Sequence, residues 1–302
     1  MVLPAYCAFV VVLYHSDPHA HELRLSSIVE RGYTAILVDN TPIDAAICAT
    51  PLYTTTNLYH VLLGENTGIA NALNVGIQLA FDLSKHYVFT FDQDSEISID
   101  LLERLLKQYV EQEAQSSAPL VLGPHPINKV TGASYLRRRD RLRRFFRNGA
   151  REPYLLRVNE IISSGLLANR DTYDKVGLYD TELFIDFVDH EWCWRLREMG
   201  GACLVDLSTP LSHMVGSGDI PFTLGMKFAS AHRLYYLFRN GIYLILALKM
   251  PFFDATKFLV LVPFKLLLFA FFRDRKARWK YAVRGLLDGL RLALSSKSKQ
   301  SV

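Results

Sequence analysis

No CxxC pair occurs among the four cysteines, Cys7, Cys48, Cys193 and Cys203, and none stands at metal-type spacing from a histidine. A disulfide framework and a structural zinc site are therefore excluded as organising devices, and buried thiols in a reducing compartment are expected. Charge of one sign is also lacking: 34 Lys and Arg face 30 Asp and Glu, a net +4. That argues against a polycation built to coat nucleic acid, and no aromatic-interleaved reading surface accompanies the basic residues. No glycine-rich GxGxxG follows the first apolar segment, where Tyr14-His15-Ser16-Asp17-Pro18 stands instead, so a nicotinamide-binding oxidoreductase is disfavoured. The N-terminus has no basic flank before its apolar stretch and no small-residue cleavage site after it, so it reads as a buried strand and the chain is expected to stay in the cytoplasm. Repeats and low-complexity tracts are absent.

What is present is half hydrophobic, with 21% charged residues in 302, enough for a sizeable core. Ala8–Tyr14, Ala35–Val38 and Tyr87–Phe91 are short apolar, β-branched runs of the kind buried on both sheet faces. Helical stretches alternate with them at His19–Glu30, Asn71–Asp82 and Leu101–Glu113. This βαβα rhythm predicts an α/β fold with a mostly parallel central sheet. Ligands collect at the carboxyl ends of such strands, and Tyr14, Asp39 and Asp92 all fall at those ends. Further on, Ile161–Asn169 returns to a strand or buried pattern, Glu191–Met199 reads as a helix with an i,i+4 Glu191–Arg195 pair, and Ala202–Val205 as another strand.

Four segments carry candidate chemistry. Thr90-Phe91-Asp92-Gln93-Asp94-Ser95 delivers two carboxylates at i and i+2 from a buried strand into a loop, a pair of hard oxygen donors suited to Mg²⁺ or Mn²⁺ and a diphosphate. Asn66-Thr67-Gly68 leads through small residues into a helix whose N-terminus could face an anion, or simply pack on the sheet. Phe184–Arg195 opens a helix with Asp186, Asp189 and Glu191, which could cap it or act as bases; Trp192 and Trp194 could stack on a sugar or fill the core. His213, followed by a glycine loop, could complete a metal site through neutral imidazole or serve structure alone.

Composition shifts near residue 225. Gly241–Phe272 is apolar and aromatic, but Lys249, Asp254, Lys257 and Lys265 with Pro251 and Pro263 interrupt every window of the about 18–20 apolar residues a span needs. As a helix, it would put Asp254, Lys257 and Lys265 on one face. Arg273, Arg275, Lys276, Arg278 and Lys280 follow. An in-plane anchor on anionic lipid fits this pattern better than a span, with packing on the core or a homodimer as the alternative.

Taken in order, these elements resemble glycosyltransferase family 2, the inverting enzymes of the GT-A fold: Phe9–Tyr14, Val38-Asp39-Asn40, the Asn66–Gly76 block, the Asp92-x-Asp94 pair, Ser163-Ser164-Gly165, the acidic helix start and the late His213-x-x-Gly216. The likeness covers roughly residues 7–220. Phe91-Asp92-Gln93-Asp94-Ser95 and Phe184–Cys193 are similar to the rhamnosyltransferase branch in particular. The resemblance implies a Rossmann-like GT-A domain over 1–225 that binds a nucleotide sugar, with helices over 226–302 that meet the inner membrane surface or dimerise. It implies dTDP-L-rhamnose as donor, a UDP-sugar being the alternative, and a lipid-linked or polysaccharide acceptor in bacterial surface polysaccharide synthesis such as O-antigen. A non-catalytic scaffolding subunit is the rival from another class. By position, Tyr14 and Asp39 would flank the base, Asn66 and Gly68 the nucleoside and diphosphate, Asp92 ribose or metal, and Asp94 the metal. Gly165 would leave room for the donor sugar. His213 would support metal or diphosphate. Asp189 would be the general base, although Val188 stands where many members carry a second acid, which leaves Asp186 and Glu191 as rivals. The Arg137–Arg151 run would meet lipid headgroups or an acceptor pyrophosphate.

Overall fold

The computed structural model describes residues 4–42, 52–129, 131–136, 154–213, 230–272 and 274–300, with the side chains of 52–55, 213 and 297–300 outside that description. The arginine run and the loop after His213 therefore lie outside the described residues.

Strand β1 (Cys7–Leu13) is buried at every position and sits between β2 (Thr34–Asp39) and β5 (Tyr87–Asp92), parallel to both. Its period-two geometry sends Val10 and Val12 to one core and Phe9, Val11 and Leu13 to the other. That is why the run is apolar throughout rather than alternating. The remaining strands are β3 (Leu52–Thr55), β4 (Leu58–Leu62), β6 (Leu120–Asn128), β7 (Leu155–Val158), β8 (Leu166–Asn169) and β9 (Ala202–His213), giving the order β3-β4-β2-β1-β5-β8-β6-β9-β7. The pairings run β3, β7 and β8 against the other strands, so the sheet is mostly parallel, as expected.

Helix α1 (Pro18–Glu30) starts at Asp17, which accepts from the His19 N–H, with proline at its first position. It covers one sheet face together with α3 (Ile99–Glu113), capped by Ser98. Helix α2 (Ile69–Asp82) and α5 (Val188–Glu198) cover the other, and the short α4 (Arg170–Val176) packs beside α5. Gly76 lets α2 approach β1 and β2 closely, because a Cβ there would press on Val10 and Val38. The sequence missed β3, β4, β6, β7 and α4. Of the 161–169 stretch expected to be strand or buried, 166–169 form β8 and 161–165 a loop in which Ile161 and Ser164 are buried.

Three helices follow: α6 (Ala231–Leu246), α7 (Phe252–Leu268) and α8 (Arg275–Gln300). Gly285 and Gly289 face the backbone of Tyr235 and Arg239, so α6 and α8 cross at close range. No helix among the described residues is long and apolar enough to cross a membrane. Helix α7 has no buried residue, and Phe252, Phe253, Val260, Leu267 and Phe271 just beyond it stand exposed.

Candidate active site

The carboxyl ends of β1, β2, β4 and β5 are tied into one rim by loop-to-loop hydrogen bonds. The Tyr14 N–H donates to Gln93 Oε1 at 2.8 Å, and the His15 N–H to Thr41 Oγ1 at 2.8 Å. Asn40 Nδ2 donates to Asn66 Oδ1 at 3.0 Å while Asn40 Oδ1 accepts from the Thr67 N–H at 2.8 Å. Tyr14, Asp39, Asn66, Gly68, Asp92 and Asp94 thus share the edge where parallel sheets bind ligands. Tyr14 is 43% exposed, whereas Asp39 is buried and its Oδ1 accepts from the Thr41 N–H. Asn66 Oδ1 also accepts from the Gly68 N–H, so this side chain sets the loop that enters α2. Gly68 has φ +86°, and a Cβ there would come within 2.6 Å of Phe184.

Phe184 begins the second half of the site. The Ile69 N–H donates to the Phe184 carbonyl at 2.7 Å, which fastens the start of α2 to the loop before α5. In that loop Phe184, Asp186 and Phe187 all have positive φ (60°, 64° and 66°), a costly run for residues with side chains. Helix α6 holds it. Asn240, wholly buried, donates from Nδ2 to the carbonyls of Leu183, Ile185 and Asp186 at 2.8, 2.8 and 2.9 Å. Arg239 donates to the Glu182 and Leu183 carbonyls, and Arg233 grips Asp186 through Nε and Nη2, the closest contact 2.7 Å. Sequence reasoning missed this clamp; its signal is the polar Arg239-Asn240 pair in the middle of α6, flanked by Leu237, Phe238, Gly241 and Ile242.

Asp189 stands in the first turn of α5, 18% exposed, with Oδ1 bonded to the His190 N–H at 2.9 Å and to His190 Nδ1 at 2.7 Å. Burial pushes its carboxyl up, but the charge of His190 and hydrogen bonds from His190 and from the Ser163 backbone outweigh that and hold it below its usual value. The Ser163 carbonyl accepts from Thr90 Oγ1 at 2.6 Å, the Gly165 N–H donates to the Thr90 carbonyl at 2.7 Å, and Ser164 bonds Ser95 at 2.5 Å. The 163–165 loop therefore joins Asp189 to the end of β5. The Arg233 guanidinium, bonded to Asp186, is held more basic than usual chiefly by those hydrogen bonds, with the charges of Asp189 and Asp92 adding to the effect.

The rival acids have other partners. Glu191 is 1% exposed and bonded to Arg195 at 2.7 and 3.0 Å; burial raises its carboxyl in spite of that arginine. Asp186 is engaged by Arg233. Two expectations are corrected. Trp192 cannot stack on a sugar: it is 0% exposed, packs on Tyr173 and Tyr179, and donates Nε1–H to the Gly177 carbonyl at 2.8 Å. Gly165 leaves no open room, because a Cβ there would meet Pro124 at 2.5 Å and Leu211 at 3.1 Å; its φ of +82° and tight packing account for glycine.

Asp92 and Asp94 offer carboxylate oxygens, the donor type a hard divalent cation takes. Asp92 is half-buried at the end of β5, and Asp94 is exposed two residues on, while Gln93 is turned to Tyr14. No group of three or more His, Cys, Asp or Glu among the described residues is arranged to hold a metal, so Mg²⁺ or Mn²⁺ here would take its other ligands from substrate phosphates and water. His213 ends β9, paired with Asn128.

Residues 11–165, just over half of the chain, match the model of the family described as Glycosyl transferase family 2. The chain belongs to that family. Among curated proteins, it is 25% identical over 251 residues to the "dTDP-rhamnosyl transferase RfbF" of Shigella flexneri, covering 78% of each chain. Among solved structures, it is similar to GalNAc-T7, crystallised with UDP, GalNAc and Mn²⁺, at a TM-score of 0.52 and 14% identity, over 77% of this chain and 47% of that one. It also overlaps the TarS of S. aureus at a TM-score of 0.48 and 17% identity, over 88% of this chain and 44% of that one. The chain thus spans about half the length of these solved structures. The likeness to GalNAc-T7 supports the GT-A fold expected from the motifs. The rim built on β1, β2, β4 and β5 lies within the family 2 match; Asp189 and its α6 clamp lie beyond it.

Proposed function

We propose that this family 2 glycosyl transferase moves L-rhamnose from dTDP-L-rhamnose to an acceptor hydroxyl with inversion at the anomeric carbon. The observation that carries the mechanism is Asp189, a carboxylate held ionised beside the β5 rim. The likeness to a dTDP-rhamnosyl transferase supports the donor. Tyr14 and Asp39 bracket the base, the Asp39 oxygen not used by Thr41 accepting its N–H. Gly68 and the start of α2 line the nucleoside and diphosphate side. Asp92 and Asp94 would hold Mg²⁺ or Mn²⁺, with His213 in support; when bound, the cation supplies positive charge against the leaving diphosphate. Asp189 takes the proton from the acceptor hydroxyl as that oxygen attacks opposite the diphosphate. His190, bonded to Asp189 Oδ1, orients the carboxylate and offsets its charge.

Residues 1–225 form the catalytic part in this reading, and 226–302 rest on the inner face of the cell membrane. Support for the latter is the exposed apolar side of α7, from Phe253 through Val260 and Phe264 to Leu267 and Phe271, followed by the basic start of α8. Release of nucleoside diphosphate from a panel of dTDP- and UDP-sugars, with and without EDTA, tests the donor. Turnover of dTDP-rhamnose alone is expected; turnover of a UDP-sugar instead overturns the rhamnose assignment.

A further inference from the structure

Helix α7 has a second face, turned inward. Asp254, Lys257, Phe258, Leu261, Val262 and Lys265 line a cavity of about 220 Å³ whose other walls come from α6, Met250, Phe187 and Trp194 of α5. A cavity below the about 300–1,000 Å³ of a whole-ligand site seats part of a ligand and leaves the rest outside. Its inner wall touches the catalytic end of α5. Phe187 is the residue before α5, its ring lies 6.1 Å from His190 and 6.1 Å from Phe258, and His190 bonds Asp189.

The lysines are the unusual part. Lys257 is exposed at the edge, and Lys265 is half-buried in an apolar wall. The Lys265 ammonium has no hydrogen-bond or ion-pair partner among the described residues, an expensive state for a partly desolvated charge. Burial first, and the neighbouring Lys257 after it, make Lys265 less basic than usual, while Asp186 opposes them. Asp254 shares the cavity and has interactions of its own. Two cations on an apolar cavity call for an anion that carries hydrocarbon.

We infer that this cavity receives the phosphate-bearing end of a lipid-linked acceptor, with Lys257 and Lys265 on the phosphate, Phe258, Leu261 and Val262 on the first part of the chain, and the acceptor hydroxyl delivered past Phe187 to Asp189. The inference rests on the transferase reading above and narrows its acceptor class. It also explains why α7 is apolar on both sides: the outer face lies on the bilayer and the inner face takes a lipid from it. A cavity of about 220 Å³ suits one hydrocarbon chain better than the paired chains of bulk phospholipid.

The test is calorimetric titration of the full chain, saturated with dTDP so that the donor site is filled, with farnesyl phosphate. Farnesol, inorganic phosphate and phosphatidylglycerol vesicles serve as comparisons. Farnesyl phosphate is expected to bind at least about tenfold tighter than farnesol or inorganic phosphate. Lys257→Gln/Lys265→Gln is expected to lose at least about tenfold of that affinity, whereas Lys107→Gln, which removes an exposed charge on α3, keeps it. Equal binding of farnesol, or full affinity in the double variant, overturns the site. Vesicle binding that depends on the two lysines without any farnesyl phosphate binding overturns it too, since the pair would then serve bilayer charge alone. Failure of the wild type to bind dTDP defeats the transferase reading; dTDP binding without farnesyl phosphate binding defeats only this inference.

Discussion

Asn240 gives the sharpest test of how the base is positioned. Its single amide serves the carbonyls of Leu183, Ile185 and Asp186 at 2.8–2.9 Å in a fully buried setting. Two N–H groups shared by three acceptors make about two full hydrogen bonds. Asn240→Leu keeps the branched shape and removes both, together with the bond that Oδ1 accepts from Arg239 Nε at 2.9 Å. Stranding buried acceptors costs about 1–3 kcal/mol each, so the loop loses on the order of 3 kcal/mol. Phe184, Asp186 and Phe187 hold positive φ only while something holds them, so part of that energy is released by relaxation of the loop. If about half is recovered, about 1.5 kcal/mol remains against the productive arrangement of Asp189, roughly a tenfold fall in kcat. The β1–β5 rim is untouched, so dTDP affinity stays near wild type. Steady-state turnover of the donor, with dTDP binding measured by calorimetry, separates these. A variant with lowered melting temperature but wild-type kcat would refute the reasoning, because the clamp would then stabilise the fold without placing the base.

Three further outcomes are expected. Gly68→Ala puts a Cβ about 2.6 Å from Phe184 in a left-handed backbone, and should cut donor affinity and kcat together, read as a drop of tenfold or more in kcat/KM. Asp94→Ala should weaken donor binding and flatten the response of turnover to added Mg²⁺ or Mn²⁺; an unchanged metal response removes it from the cation site. Because the Asp189 carboxyl is held below its usual value, its ionised form persists as pH falls and is lost only on passing through that lowered value. Its contribution to stability is likewise present above the unfolded carboxyl pKa and lost below the folded one. A pH–rate profile should therefore show no acid limb from Asp189 between pH 5 and 7, where wild type and His190→Gln should differ, the variant's limb moving upward.

The parallel half of the sheet was legible because β1, β2 and β5 are buried on both faces and so carry continuous apolar runs ending in Tyr14, Asp39 and Asp92. The strands that escaped notice have weaker signals. β6 contains Pro124 and Pro126, and β7 is only four residues long. Periodicity cannot separate such short pieces from loop or helix. In the site, Asp92, Asp94 and Asp189 were readable as acids at element boundaries. Trp192 misled because an indole at a helix start fits core and sugar equally well, and only its position against Tyr173 and Tyr179 decides. Gly165 misled in the same way, its space being filled by Pro124, far away in sequence. The clamp by Arg233, Arg239 and Asn240 acts across some 50 residues, on the Asp186 carboxylate and on backbone carbonyls, so the Arg239-Asn240 pair shows in the sequence but what it holds does not. The outward and inward faces of α7 were foreshadowed by the shared face of Asp254, Lys257 and Lys265, but the cavity between them needed the placement of α5 and α6.

The central claim is that Asp189 is the base of an inverting sugar transfer. The most direct measurement compares wild type and Asp189→Asn in release of dTDP from dTDP-rhamnose with a lipid-extract acceptor, alongside dTDP affinity in both. The account predicts retained dTDP binding and a fall in turnover of about 10²–10⁴; turnover near wild type in Asp189→Asn would contradict it.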